Sequence, residues 1–220
     1  MRRFFTSPLI ALVLLAIPLI LVAFLYPGLP ETIPVHFNAG GIADKYGSKS
    51  SIWIHNSILF AVGISVYLLI SNLHKIDPKK TAGVSADTHR ALAFVLVLFL
   101  SVINTSITLS MSGVFKHFGV EKVVLPATGI LIAVMGYFMR NIKPNYFIGL
   151  RLPWTLEDEN NWAATHRLAA KLWIPAGLIM AFTAIVFPFM TAFIITIAVT
   201  MIIVLIPAIY SYRFFKQRKT

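Results

Sequence analysis

No cysteine occurs in this chain of 220 residues. Disulfides, thiolate metal ligands and thiol nucleophiles are therefore excluded, and cysteine usage says nothing about compartment. Charge is scarce as well: 12% of the residues are Asp, Glu, Lys or Arg, where a soluble domain carries about 25%. A soluble chain of this length has too much surface to cover with so few charges. Hydrophobic residues make up 58%. That excess needs lipid as its solvent, which excludes an ordinary soluble enzyme. Signatures of known chemistry are missing too. There is no HExxH, GxSxG, Walker loop or Rossmann fingerprint, so nothing nominates a nucleophile with its base. A non-enzymatic protein without a cofactor is expected.

What is present is a set of long uncharged runs. Phe4 to Pro30, Ser50 to His74, Ala91 to Phe115 and Val123 to Met139 contain no Asp, Glu, Lys or Arg. A membrane helix needs roughly 20 residues, so each run holds one span. The last run, Leu172 to Tyr212, is 41 residues long. As one helix it would measure about 60 Å, twice the hydrocarbon thickness. A turn around Phe187, Pro188 and Phe189 divides it into two spans. The expected fold is all-α: a polytopic transmembrane bundle of six spans, near 9–27, 52–72, 91–112, 123–140, 170–187 and 190–211. The alternative has five spans with one long or kinked terminal helix. The first span reads as a retained helix, since its apolar run exceeds that of a signal peptide. No acid falls inside a span, which argues against a carboxylate-driven ion pump.

The net charge of +11 would suggest nucleic acid in a soluble chain; here it tests topology. Six spans place 15 of the 19 basic residues on the side of the termini, leaving Lys45, Lys49, Lys116 and Lys122 opposite. With the acids sorted in the same way, one face carries +10 and the other +1. The positive-inside rule then puts both termini in the cytoplasm. Charge is accounted for without nucleic acid as a partner, and the chain is expected in the cell membrane as a multi-pass protein in contact with lipid.

Two segments outside the spans are rich in information. The first follows span one, on the expected outer face: Leu29 to Lys49. Pro30 and Pro34 stiffen an extended entry. Val35 to Asn38 alternates apolar and polar, as a short strand would. Asn38 to Gly41 permits a tight turn. Tyr46 and Trp53 suit the headgroup level. His36 has three readings. It locks the loop through a carbonyl, it faces a bound peptide or lipid headgroup, or it binds a metal with Asp44 and with His117 or Glu121.

The second segment, Arg140 to Arg167, lies on the expected inner face. Thr155 reads as a helix N-cap with Asp158 as its capping-box partner. Trp162, Arg167 and Lys171 follow on an amphipathic helix that runs into span five. Trp154 and Trp162 suit the interface, and Arg151 has Glu157, Asp158, Glu159 or a lipid phosphate within reach. The segment either locks the inner ends of the bundle or is a binding surface for an inner partner or a lipid headgroup. Thr88-His89-Arg90 at the start of span three is echoed by Thr165-His166-Arg167 at the start of span five. Within the spans, Asn56 and Asn104 are expected to face the interior, as helix–helix contacts or as a buried polar site.

Both segments carry a family resemblance. Pro34, His36, Phe37, Asn38, Gly41, Asp44, Gly47 and Lys49 resemble the N-terminal domain of unknown function found in the SdpI-like family of bacterial membrane proteins. Asn145, Gly149, Arg151, Pro153, Trp154, Thr155, Trp162, Thr165, His166 and Arg167 resemble the family's C-terminal signature. The resemblance implies a region 1–122 with the outer motif and a region 123–220 with the inner motif. It implies immunity to a secreted antimicrobial peptide, by binding or occlusion. It also implies, for some members, signalling through capture of a cytoplasmic repressor. The alternatives from other classes are a small-solute transporter and a membrane-embedded metal-dependent hydrolase.

Overall fold

In a computed structural model of the chain, residues 7–38, 42–76, 78–81, 84–113, 119–140, 142–145 and 147–219 are described. Gly41, His117 and the middle of the expected turn after Asn38 lie outside them. Six helices are long and apolar enough to cross a membrane. They are α1 (Pro8–Leu25), α2 (Ser51–Ser71), α5 (Ala86–Ser112), α6 (Glu121–Met139), α8 (Glu159–Val186) and α9 (Phe189–Lys219). Short helices α3 (Leu73–Ile76), α4 (Pro78–Thr81) and α7 (Pro153–Glu157) lie between them. The fold is thus an all-α bundle consistent with six spans, and the protein is a polytopic membrane protein. On α9 alone, Ile194, Ile197, Met201, Ile202, Leu205 and Ile209 are exposed. Such a surface is stable in lipid and not in water.

The helix boundaries follow from local chemistry. Pro8 opens α1, where its missing N–H costs nothing. Gly113, at φ +66°, ends α5 in the left-handed conformation that favours glycine. The run from Leu172 to Tyr212 breaks at the expected place. Helix α8 stops at Val186, Phe187 is extended, and α9 begins at Phe189. Pro188 lacks the N–H that would continue the ladder. Helix α8 begins at Glu159, so the amphipathic stretch and span five are one continuous helix.

The chain forms two compact units. One comprises Met1–Asn72 and Asp87–Ala127. Its core has an inner cluster of Ala11, Leu15, Tyr67, Ala93 and Val97 from α1, α2 and α5. Gly63 of α2 leaves the space that Leu15 fills. Hydrogen bonds tie the same helices: Ser101 Oγ donates to the Leu14 carbonyl at 2.5 Å. Thr108 Oγ1 donates to Asn56 Oδ1 at 3.0 Å. Asn56 and Asn104 are both buried, as expected.

A two-stranded antiparallel sheet sits in this unit, between α1 and α2. Strand β1 (Thr32–Phe37) pairs with β2 (Ala43–Ser48). The strand expected around Val35 to Asn38 is therefore longer and has a partner. Its anchor is Ile33, fully buried with Val22, Leu29, Ile52 and Met111. The hairpin is held by this apolar plug and not by the ladder alone, since an isolated hairpin is marginal.

The second unit comprises Leu73–Ala86 and Thr128–Thr220. Helices α6 and α8 approach closely through glycines. A Cβ at Gly129 would lie 2.5 Å from the Ala181 nitrogen, and one at Gly177 would lie 2.5 Å from the Ala133 nitrogen. Small residues allow such backbone contact in a membrane, where packing replaces the hydrophobic effect. Helix α9 is tied to α8 by Trp173, whose indole N–H donates to the Ile203 carbonyl at 2.9 Å.

Candidate functional site

The hairpin brings the motif residues of the first unit together. The Lys49 amide donates to the Glu31 carbonyl at 2.9 Å, and the Lys49 ammonium meets the Glu31 carboxylate at 2.7 Å. These two contacts close the base of the hairpin. Lys49 also stands over the Tyr26 ring, 5.4 Å from its centroid. Glu31 holds the Lys49 ammonium above its ordinary pKa. At the other end, the Asn38 amide donates to the Ile42 carbonyl at 2.9 Å, and Asn38 Oδ1 accepts from the Ile42 amide at 3.1 Å.

His36 and Asp44 form the exposed centre of the motif. His36 Nδ1 lies 2.5 Å from Asp44 Oδ1. The carboxylate only accepts, so the imidazole carries its proton on Nδ1. That hydrogen bond holds the Asp44 carboxyl below its usual range. His36 is thus bonded across the hairpin to a carboxylate, not to the carbonyl of the first expected reading. Among the described residues no group of three His, Cys, Asp or Glu side chains is placed to hold a metal. Glu121 stands in the first turn of α6. The ladder is irregular on both sides of His36, a bulge that turns side chains out of register. Gly47 lies close to β1: a Cβ there would lie 3.0 Å from Val35 Cγ1, a tight contact. Phe37 packs half-buried against the Ile33 cluster with Tyr26 and Trp53.

In the second unit, the segment before α8 is a dense hydrogen-bonded lock. Asn145 is buried and forms a turn around its own side chain. Its Oδ1 accepts from the amides of Phe147 at 2.9 Å and Ile148 at 2.7 Å. Its Nδ2 donates to the carbonyls of Lys143 and Ile148. Gly149 follows at φ +113°, and a Cβ there would overlap the His166 ring. Only glycine fits, on both counts. The Leu150 amide then donates to His166 Nε2 at 2.9 Å. His166 Nδ1 lies 2.8 Å from the Trp162 carbonyl. Nε2 accepts, so Nδ1 carries the hydrogen, and the lock uses the neutral ring. Trp162 is fully buried, stacks on His166 at 4.0 Å between centroids and donates to the Ile142 carbonyl at 2.8 Å.

The capping expectation at Thr155 is corrected. Thr155 is the third residue of α7, and Leu152 precedes the helix. Its Oγ1 accepts from the Leu152 amide at 3.0 Å and lies 2.9 Å from the Leu150 carbonyl. Asp158 instead caps α8, accepting from the amides of Asn160 and Asn161. The short helix ends where Asp158 starts a new one, which a single capping box could not anticipate. Pro153 is the first residue of α7. Asp158 also binds Arg218 at 2.7 Å. Desolvation opposes its ionisation, but Arg218 and the two amides outweigh it and hold the carboxyl below its usual range.

Asn161, Ser211 and Arg218 were not singled out by sequence. Asn161 Nδ2 donates to the Ser211 carbonyl at 3.0 Å, and Thr165 Oγ1 donates to Asn161 Oδ1 at 3.0 Å. The Trp154 indole N–H donates to Ser211 Oγ at 2.8 Å. Ser211 is buried near the end of an uncharged run that also holds several threonines, so nothing in the sequence sets it apart. Arg151 and Arg167 are exposed beside the lock. Each follows directly in sequence one of the two residues, Leu150 and His166, that the central hydrogen bond joins.

Both constructions fall within stretches shared with known proteins. The SdpI/YfhL protein family matches residues 141–211, and a domain of unknown function (DUF1648) matches residues 13–60. The chain is distantly related to the SdpI/YfhL family. The first match begins just before the Asn145 turn and ends on Ser211, so it includes every hydrogen bond of the central lock. The DUF1648 match includes the whole hairpin, most of α1 and the first turns of α2. The chain is similar to Immunity protein SdpI of Bacillus subtilis (strain 168), with 24% identity over 212 residues, covering 95% of this chain and 96% of that protein. It is also similar to an uncharacterized protein of Archaeoglobus fulgidus, 40% identical over 48 residues, which are 22% of this chain and 26% of that one. No solved structure matches the chain significantly.

Proposed function

We propose that this chain is a membrane immunity protein that protects its host from a secreted antimicrobial peptide by binding and occlusion. The observation that carries the reading is the likeness to Immunity protein SdpI, which extends over 95% of this chain and includes both motifs. The charge distribution supports placing both termini in the cytoplasm. With one crossing per helix, the hairpin then faces outward and the lock before α8 faces inward. The exposed His36–Asp44 pair and Tyr46 are available to an outside peptide. Arg151 and Arg167, exposed beside the lock, are the residues that would meet a cytoplasmic regulatory protein. The work at either face is recognition, with no bond cleaved.

The test is a challenge assay. The gene is deleted in its host, and the deletion strain is exposed to secreted peptide toxins. It is then restored with wild type, His36→Ala or Arg151→Ala. Wild type should restore survival and His36→Ala should restore less. Arg151→Ala should retain protection and lose any transcriptional response. Equal sensitivity of the deletion and wild-type strains sinks the proposal.

A further inference from the structure

The hairpin has two free edges, and they are not equivalent. The register pairs Thr32 with Ser48, Ile33 with Gly47 and Pro34 with Tyr46. The Lys49 amide bonds to the Glu31 carbonyl. Hydrogen-bonded pairs alternate with non-bonded ones along an antiparallel ladder. Ile33 and Gly47 are therefore a bonded pair, and Thr32, Pro34, Tyr46 and Ser48 turn their main-chain groups outward. On the β1 edge the outward position at 34 is a proline, which has no N–H to offer. Proline there blocks strand addition. On the β2 edge, the alternation turns the N–H and C=O of Tyr46 outward, and no partner meets them among the described residues.

The surroundings of the β2 edge give the occupant its chemistry. The Tyr46 side chain is 62% exposed. Lys45, next to it, is exposed and makes no ion pair among the described residues. We infer that the β2 edge of the hairpin is a strand-addition site for an extended segment of a secreted peptide. That segment places an apolar or aromatic residue beside Tyr46 and an acidic one beside Lys45. Main-chain hydrogen bonds supply affinity, and alternate side chains supply selectivity. The inference rests on the immunity reading for the source of the peptide, while the edge itself is tested without it.

The probe is a short synthetic peptide of alternating threonine and valine, with a central tyrosine and one glutamate. Its binding to the full chain in nanodiscs is measured beside two relatives: one N-methylated at alternate amides, and one with lysine in place of glutamate. The unmodified peptide should bind. N-methylation on the docking edge should weaken it at least about fivefold, the loss of one or more hydrogen bonds. Lysine should weaken it as well. Tyr46→Pro removes the outward N–H without touching a ladder bond and should abolish binding. Tyr46→Val, which keeps the amide, should lose only the ring contact. Trp53 fluorescence checks the hairpin's seat, because Trp53 packs on Tyr26 below it at 5.8 Å. If Tyr46→Pro disturbs that seat, the methylated peptide against wild type still decides.

No binding of the unmodified peptide, or equal binding of the methylated one, overturns the inference. A wild-type dimer that Tyr46→Pro dissolves assigns the edge to a second copy and also overturns it. Peptide docking without protection in the challenge assay would instead remove the immunity reading and leave the edge standing.

Discussion

Replacing Gly149 with alanine adds one methyl group at a point where two constraints meet. The backbone stands at φ +113°, and the new Cβ would occupy space held by the His166 ring. A side chain in that conformation costs about 1–3 kcal/mol. Displacing His166 also removes the acceptor of the Leu150 amide, about 1–3 kcal/mol more. The expected loss is about 2–6 kcal/mol, a large share of an ordinary stability of about 5–15 kcal/mol. For a chain of this size, Tm should fall by about 4–24 °C. Intrinsic fluorescence in detergent or nanodiscs reads both effects, because the Trp162 ring stacks on His166 at 4.0 Å and its emission should change with the ring's neighbour. The double variant Gly149→Ala with His166→Ala removes the overlap and keeps the backbone cost. It should be less destabilised than the sum of the single variants, by about 1–3 kcal/mol. A Gly149→Ala protein with unchanged emission and a Tm within about 2 °C of wild type would refute the lock.

Other perturbations probe separate links. Asp158 has a folded pKa below its unfolded value, which is about 3.9. Its contribution is therefore whole above the unfolded pKa and is lost as pH falls through the folded one. Asp158→Asn keeps a capping oxygen but should show a flatter acid limb in Tm against pH; superimposable profiles would contradict the Arg218 pairing. Asn161→Ala and Trp154→Phe should cost about 1–3 and about 1 kcal/mol. Because both side chains bond to Ser211, the double variant should be non-additive, and simple additivity in thermal unfolding would argue against a shared node. Finally, the absence of cysteine gives a clean labelling background. Ser48→Cys should react with an impermeant maleimide in intact cells, and Arg167→Cys only after permeabilisation. Labelling of both from the same side would overturn the proposed topology.

The spans were legible because lipid imposes a simple rule on composition and length. The break at Pro188 was legible for the same reason, since a helix of twice the bilayer thickness has nowhere to go. His36 and Asp44 stood out in the sequence as polar residues in a short outer segment. Their direct bond did not, because it depends on a strand partner and a bulge that alternation over a few residues cannot reveal. Thr155 and Asp158 show the same limit at helix ends. Each is a sound capping residue, yet which helix each serves depended on a second helix starting at once.

The sequence by itself determined that this protein lives in a membrane, roughly where its six long helices lie, and that two segments outside the spans are rich in polar and aromatic residues. Those are local quantities: hydrophobic length, charge, and the backbone preferences of proline and glycine. Only the tertiary structure decided that Ile33 plugs the hairpin into the core, that Pro34 closes one edge and leaves the other open, and that His166, Asn161 and Ser211 form one lock. Such contacts join residues far apart in the chain, as Asn161 and Ser211 are at 50 positions. Their partners are set by packing, which no short stretch of sequence contains.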